Sequence, residues 1–251
     1  MTDPVDDLGV PVAVPARVAR VVSLVPSLTE SVALSAPGLL VGATDWCTHP
    51  ADLDVARVGG TKNPDVAAVV GLRPDVVVAN EEENRSVDLD GLRAAGVAVW
   101  VTAPTTVDAA LVSLDRMLRF ACRLPRPAWL DAADEVWSTP YEVPVRRKAI
   151  VPIWRRPWMV LGRDTFAGDL LARLGIDNVM SDHAERYPRV ELGDLPSYDL
   201  VVLPDEPYAF SPDDGPEAFP GVDARCISGR HLTWYGPSLI EAREVLTAQL
   251  G

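Results

Sequence analysis

Short, continuous apolar runs alternate with helix-periodic stretches along most of the chain. In the first half the apolar runs are residues 20–24 (RVVSL), 39–44 (LLVGAT), 75–79 (DVVVA) and 97–102 (VAVWVT). In the second half they are 148–153 (KAIVPI), 200–203 and 224–228, with 158–161 as a hairpin-like return. Helical patterns lie between them at about 26–35, 65–72, 88–95 and 166–174, and a last helix covers 238–250. Ser27 and Glu30 have capping-box spacing at the first helix, and Asp164 or Thr165 caps FAGDLLARL. Unbroken apolar strands separated by helices predict parallel sheets buried on both faces, an α/β protein.

One stretch, 105–140, carries no strand signal. Val107, Leu111, Leu114, Leu118 and Cys122 recur at three- and four-residue spacing, as one face of a helix requires. Pro125 and Pro127 end that helix. Pro127 suits the first turn of a second one, with Trp129, Leu130, Ala133, Val136 and Trp137 on one face and Pro140 after it. The chain therefore divides into an N-terminal lobe (1–124), a linking helix and hinge (125–144) and a C-terminal lobe (145–251). LRPDVVVANEE at 72–82 is echoed by LPSYDLVVLPDEP at 195–207, which supports two lobes of similar design.

Composition narrows the partners. With 251 residues and a formal charge of −13, the chain offers neither nucleic acid nor an anionic membrane a basic face. No apolar run is long enough to span a bilayer. MTDPVDDLGVPVAVP is acidic and Pro-broken, unlike a secretion signal, so a cytoplasmic monomer is expected. Residues 1–17 read as an irregular lead-in. The three cysteines, Cys47, Cys122 and Cys226, fit free thiols in a reducing compartment.

In open parallel sheets, ligands bind beyond the carboxyl ends of the strands. Those loops hold Trp46; Lys62 and Asn63 in the turn GGTKNP; Glu83, Asn84 and Arg85; Trp154 and Arg155; Asp205, Glu206 and Tyr208; and His231 and Trp234. Trp46, Trp154 and Trp234 could stack on a flat ligand or pack in the core. Of Arg155 and Arg156, only one can face the ligand from a regular strand; Arg155 is the choice, to hold a carboxylate or phosphate. Glu81 to Glu83 could neutralise a cation or form a solvated run, and Arg85 suits an anion. Cys47 and His49 are too few for a structural zinc site. No G-x-S-x-G, phosphate-binding glycine loop or H-E-x-x-H occurs, so no catalytic residue is assigned. Ser27 reads as a cap rather than a nucleophile.

RVVSLVPSLTE, VGATDWCTHP, VGGTKNPD and LRPDVVVAN resemble the N-terminal lobe of the class III solute-binding proteins of ABC transporters, the cobalamin and iron–siderophore type. VPIWRRPWMVLGRDTFAGDLLARLGIDNV and LPDEPYAF resemble its C-terminal lobe. The resemblance covers about residues 20–250. It implies two Rossmann-like lobes joined by a single linking helix, with a corrinoid, haem or metal–siderophore in the cleft between them. The family is exported, whereas this chain shows no signal. Its linking helix is long, whereas 127–138 spans only about 18 Å. The vitamin B12 binders dock on their permease through a glutamate on each lobe. Ala67 stands at or near the first position and cannot make that ion pair; the second falls near Asp194. The expected function is a small-molecule binder, with an acid–base enzyme using His231 and a carboxylate (Glu206 or Glu83) as the alternative.

Overall fold

A computed structural model describes residues 3–143 and 145–251. Pro144, the last residue of the expected hinge, lies outside the described residues. The chain clusters into two units. The first holds the chain up to Pro104, Ala110–Asp134 and Tyr235–Pro237; the second holds Thr105–Ala109, Glu135–Trp234 and Ser238–Gly251.

In the first unit the elements run β1 (Val21–Ser23), α1 (Pro26–Ser35), β2 (Leu40–Ala43), β3 (Ala56–Arg57), the small hairpin β4 (Gly59–Gly60) and β5 (Asn63–Pro64), α2 (Val66–Gly71), β6 (Val76–Asn80), α3 (Ser86–Ala94) and β7 (Val99–Thr102). The main sheet is parallel, in the order β3-β2-β1-β6-β7, with Val77 opposite Val99 and Val22 opposite Val77. All five residues of β6 are buried, as expected of a strand covered on both faces. On one face Val22, Val77, Ala79 and Val101 of the sheet, with Leu24 just after β1, cluster with Val69 of α2 and Leu89 and Leu92 of α3. The carboxylate of Asp65 caps α2 through the Ala68 amide at 2.9 Å.

α4 (Val107–Arg116) begins in the second unit and continues in the first. It ends in a wider turn, Met117–Ala121, where the Cys122 amide reaches back to Met117 at 3.0 Å. The expected face is buried at Val107, Leu111, Leu114, Leu118 and Cys122. α5 (Ala128–Ser138) starts after Pro127, and the boundary between units falls inside it, after Asp134. It buries Leu130, Ala133 and Trp137.

The second unit contains β8 (Arg147–Ile150), β9 (Pro152–Trp154), β10 (Met159–Val160), α6 (Phe166–Arg173), β11 (Ile176–Asn178), β12 (Leu200–Pro204), β13 (Asp223–Ile227), α7 (Gly229–Thr233) and α8 (Leu239–Leu250). Its sheet is parallel in the order β11-β8-β12-β13, and β9 and β10 form the hairpin-like return. Ile150, Val160, Val201, Leu203, Phe210 and Phe219 make its core. Thr165, not Asp164, caps α6.

Four expectations change. Ser27 does not cap α1: the helix starts two residues earlier than such a cap requires, with Pro26 in its first turn and Val25 at the cap. Residues 148–153 are not one strand, because Pro152 lacks the amide a ladder needs and the chain leaves β8 for β9. Residues 229–233 form a helical turn rather than a loop, capped by Ser228. The described part of the lead-in, from Asp3 on, is ordered: Val5 bridges Pro11, the Asp7 amide donates to the Val101 carbonyl at 3.1 Å, and the free edge of β7 is covered.

Candidate functional site

In the first unit the carboxyl ends of β2 and β6 and the β4–β5 hairpin carry the candidate residues. Asn80, the last residue of β6, organises the turn after it. Its side-chain oxygen accepts the amides of Glu82 (2.8 Å) and Glu83 (3.0 Å). Asn84 is buried; its oxygen accepts the Asn80 amide at 2.9 Å and its nitrogen donates to the Thr61 carbonyl at 2.9 Å. That bond ties the acidic turn to the hairpin, and Lys62 adds a second tie by donating to the Glu82 carbonyl. The Asn63 side chain lies close over Gly60: a Cβ there would sit 2.4 Å from its oxygen and push it aside. Glu83 is exposed at its surface, yet neighbouring atoms strip enough water from its carboxyl to raise it above the usual carboxylate range. Lys62 opposes that shift and Glu82 adds to it.

The loop after β2 is held from beneath. Arg57 donates to the carbonyls of Thr44 and Cys47, both at 2.9 Å. Cys47 is buried and bonded to Thr29 and Thr44, so it belongs to the core. Trp46 stands out of this loop, 68% exposed. Arg85 sits outside the turn proper, at the cap position of α3, in a two-point ion pair with Asp88 (2.8 and 3.0 Å).

In the second unit the two arginines after β9 part. Arg155 turns inward, where Asp214 and Glu217 both pair with its guanidinium, and it lies 5.3 Å from the Trp158 ring. The Gly215 amide and Arg155 together hold the Glu217 carboxyl below its usual value. Arg156 is exposed, with φ at +71°. Trp154 is 43% exposed and meets Tyr208 edge-on at 5.7 Å, while the Tyr208 hydroxyl donates to Asp214 at 2.7 Å. The carboxylate of Asp205 accepts the Gly229 amide at 2.6 Å, and Glu206 packs so closely on Gly229 that no Cβ would fit.

His231 lies between Ser228 (Nδ1 to Oγ, 2.7 Å) and Glu241 (Nε2 to Oε1, 3.0 Å). The bonds from His231 and Arg230 hold the Glu241 carboxyl below its usual value. The partner of His231 is thus Glu241, not the Glu206 or Glu83 that an acid–base reading requires. The order Ser–His–Glu is that of a nucleophile, its base and an orienting acid. Here, however, Asp205 holds the Gly229 amide and Gln249 accepts the Ser228 amide, so the donors beside Ser228 are engaged. Trp234 is buried, with Arg230 over its ring at 5.6 Å. Among the described residues no group of three or more His, Cys, Asp or Glu is arranged to hold a metal ion.

Of the expected site residues, Trp46, Lys62, Asn63 and Glu83 lie together around the acidic turn and hairpin of the first unit. Trp154, Asp205, Glu206 and Tyr208 lie at the carboxyl-end loops of the second. Asn84, Arg155 and Trp234 are engaged in holding those loops or packing beneath them, and Arg85 is paired with Asp88 of its own helix. Sequence reasoning missed Arg57 and Asn80; Tyr235 falls in the loop after β13 that it singled out, but is buried rather than open to a ligand. Only Asn80 left a signal, a polar residue ending an otherwise apolar strand.

Two units, each with a parallel sheet that gathers polar and aromatic loops at its carboxyl end, define the class: the chain has the fold of the class III solute-binding proteins, the cobalamin and iron–siderophore type. No family model matches the chain. Among curated proteins it is similar to the vitamin B12-binding protein of Yersinia pestis (strain Pestoides F), 24% identical over 186 residues. That match takes in 70% of this chain and 65% of the relative's length. Among solved structures, Helicobacter pylori Ceue with Ni(II) bound gives a TM-score of 0.82 at 14% identity, over 100% of this chain and 89% of the other. The periplasmic vitamin B12 binding protein BtuF of Vibrio cholerae gives 0.75 at 17% identity, over 94% and 98%. A periplasmic heme binding protein from Pseudomonas aeruginosa gives 0.73 at 22%, over 93% and 92%.

Proposed function

We propose that the protein binds a bulky, partly planar small molecule of the corrinoid, haem or metal–siderophore kind through the carboxyl-end loops of its sheets. The observation that carries this reading is the exposure of tryptophan. Of seven tryptophans, Trp46 and Trp154 alone are more than a third exposed, at 68% and 43%. Trp46 stands on the loop after β2 and Trp154 ends β9, just beyond the carboxyl end of β8, one in each unit. A bare indole at such a position gains by covering its face with a flat ligand.

Within that class a corrinoid suits the loops better than haem. Haem iron draws an axial donor from His, Tyr, Met or Cys, whereas a corrinoid brings its own. Tyr208 is bonded to Asp214, His231 to Ser228 and Glu241, and His49 to Thr48. The similarity to vitamin B12-binding proteins supports the same choice.

Transport is a further part of the proposal. Ala67 is exposed on α2 and Asp194 is exposed in the turn Leu192–Asp194, so one of the two expected docking positions carries a carboxylate. Cytoplasmic residence draws no support from the relatives, since the solved BtuF and heme-binding structures are described as periplasmic. No described helix is long and apolar enough to cross a membrane.

The test is tryptophan fluorescence during titration with cyanocobalamin and, separately, haemin. Saturable quenching by cyanocobalamin is expected. Trp46→Ala and Trp154→Ala should each weaken it about 5- to 15-fold, the equivalent of roughly 1–1.5 kcal/mol for one aromatic contact. Absence of saturable quenching with either ligand and with a ferric siderophore would sink the reading.

A further inference from the structure

We infer that Tyr235 is a positioning residue for the acidic turn and the lysine hairpin of the first unit. It touches no ligand; it fixes the side chain that holds the turn. The inference rests on the proposed site, but its main observable does not need a ligand.

Tyr235–Pro237 belongs to the first unit although its neighbours on both sides belong to the second. Gly236 lets this short insert lie against α1: a Cβ there would come within 2.8 Å of the Ser31 hydroxyl and 3.1 Å of the Ser27 carbonyl. The Tyr235 ring is buried and its hydroxyl meets Asn80 Nδ2 at 2.7 Å and Thr102 Oγ1 at 2.8 Å. The protons can be assigned. Thr102 uses its only hydroxyl proton on the Ala79 carbonyl at 3.0 Å. Tyr235 therefore donates to Thr102 and accepts from Asn80. Burial pushes the phenol above its usual range, so the donated proton stays in place.

Asn80 is fixed on both sides of its amide. The nitrogen donates to Tyr235 and to the Thr102 carbonyl (3.0 Å); the oxygen receives the amides of Glu82 and Glu83. A flipped Asn80 would set its NH2 group against those two amides, donor against donor. Tyr235 supplies one of the two acceptors that forbid the flip. The chain of bonds then runs Tyr235, Asn80, the Glu82–Glu83 amides, and on through Lys62 and Asn84 to the hairpin. Every link lies within the first unit, and the side chains it orients, Lys62 and Glu83, are candidates for ligand contact.

The experiment is amide hydrogen exchange by NMR on the full chain, wild type against Tyr235→Phe, with a cyanocobalamin titration of both. Phenylalanine keeps the ring and removes the hydroxyl. The Glu82 and Glu83 amides should exchange about ten times faster in the variant, with the Val77 and Val78 amides of β6 unchanged. Cyanocobalamin affinity should fall several-fold. Thr102→Val, which removes the acceptor of the tyrosine proton and keeps the shape, should speed the same two amides and covers the case where Tyr235→Phe fails to fold. Unchanged protection at Glu82 and Glu83, or a rise spread evenly over the sheet, overturns the inference. If wild type ignores cyanocobalamin, the ligand reading fails while the exchange result still decides the role of Tyr235.

Discussion

Cysteine chemistry follows burial at each of three positions. Cys122 lies 1% exposed on the buried face after α4, and burial pushes its thiol up to about 12. Burial also raises Cys47, against hydrogen bonds from Thr29 and Thr44 that pull it down. Cys226, on β13, is half-buried and is raised by burial and by Asp205. The thiolate is the reactive form, so near pH 8 Cys122 presents only about one thiolate in ten thousand. A disulfide reagent such as DTNB should label Cys226 in the native protein and reach all three thiols only after denaturation. Rapid native labelling of three thiols would contradict the burial described. The same scale shows what a sequence hides. Trp46, Trp154 and Trp234 look alike on paper, but one is buried and two are bare. Arg155 looked like an anion clamp because its carboxylates, at positions 214 and 217, are about sixty residues away in the chain.

Elements were legible where one physical rule dominated. Continuous apolar runs became the parallel strands, and Pro and Gly punctuation set helix ends to within a residue or two. Elements that depend on distant partners were not legible. The N-terminal segment reads as irregular because it is rich in Pro and Asp, yet two of those aspartates hold it in place. Buried Asp6 accepts the amides of Leu8 (3.0 Å) and Val10 (2.9 Å), shaping the segment. Asp7 anchors it, accepting from Arg116 at 2.5 Å, from the Ala103 amide at 3.0 Å and from the Ser113 hydroxyl. With the Asp7 side chain only 11% exposed, Asp7→Ala removes the common acceptor of three donors. A loss of about 1–3 kcal/mol is expected, the cost of leaving buried polar groups unmet. Urea unfolding followed by circular dichroism measures it; a change below about 0.5 kcal/mol means that the segment is not anchored through Asp7.

At the scale of the whole molecule, charge bears on the choice of ligand. The chain carries −13, and two of its candidate anion receptors, Arg85 and Arg155, are already paired with carboxylates. An anionic ligand such as haem, with two propionates, would approach against that field, and salt would help it by screening. Cyanocobalamin is neutral overall and should bind almost independently of salt. The fold class could be read from the sequence because many weak strand and helix signals agree. The ligand could not, because affinity depends on which side chains the fold leaves bare and which it pairs. Binding to the folded state alone adds about 2.7 kcal/mol at a hundredfold excess over the dissociation constant. For a chain of this size each kcal/mol raises the melting temperature by roughly 2–4 °C, so cyanocobalamin should raise it by roughly 5–10 °C. The rise should be nearly equal at about 0.05 M and about 0.5 M sodium chloride. A rise produced by haemin alone, growing with salt, would replace the corrinoid with an anionic macrocycle and shift attention from the two indoles to Arg156 and Lys62.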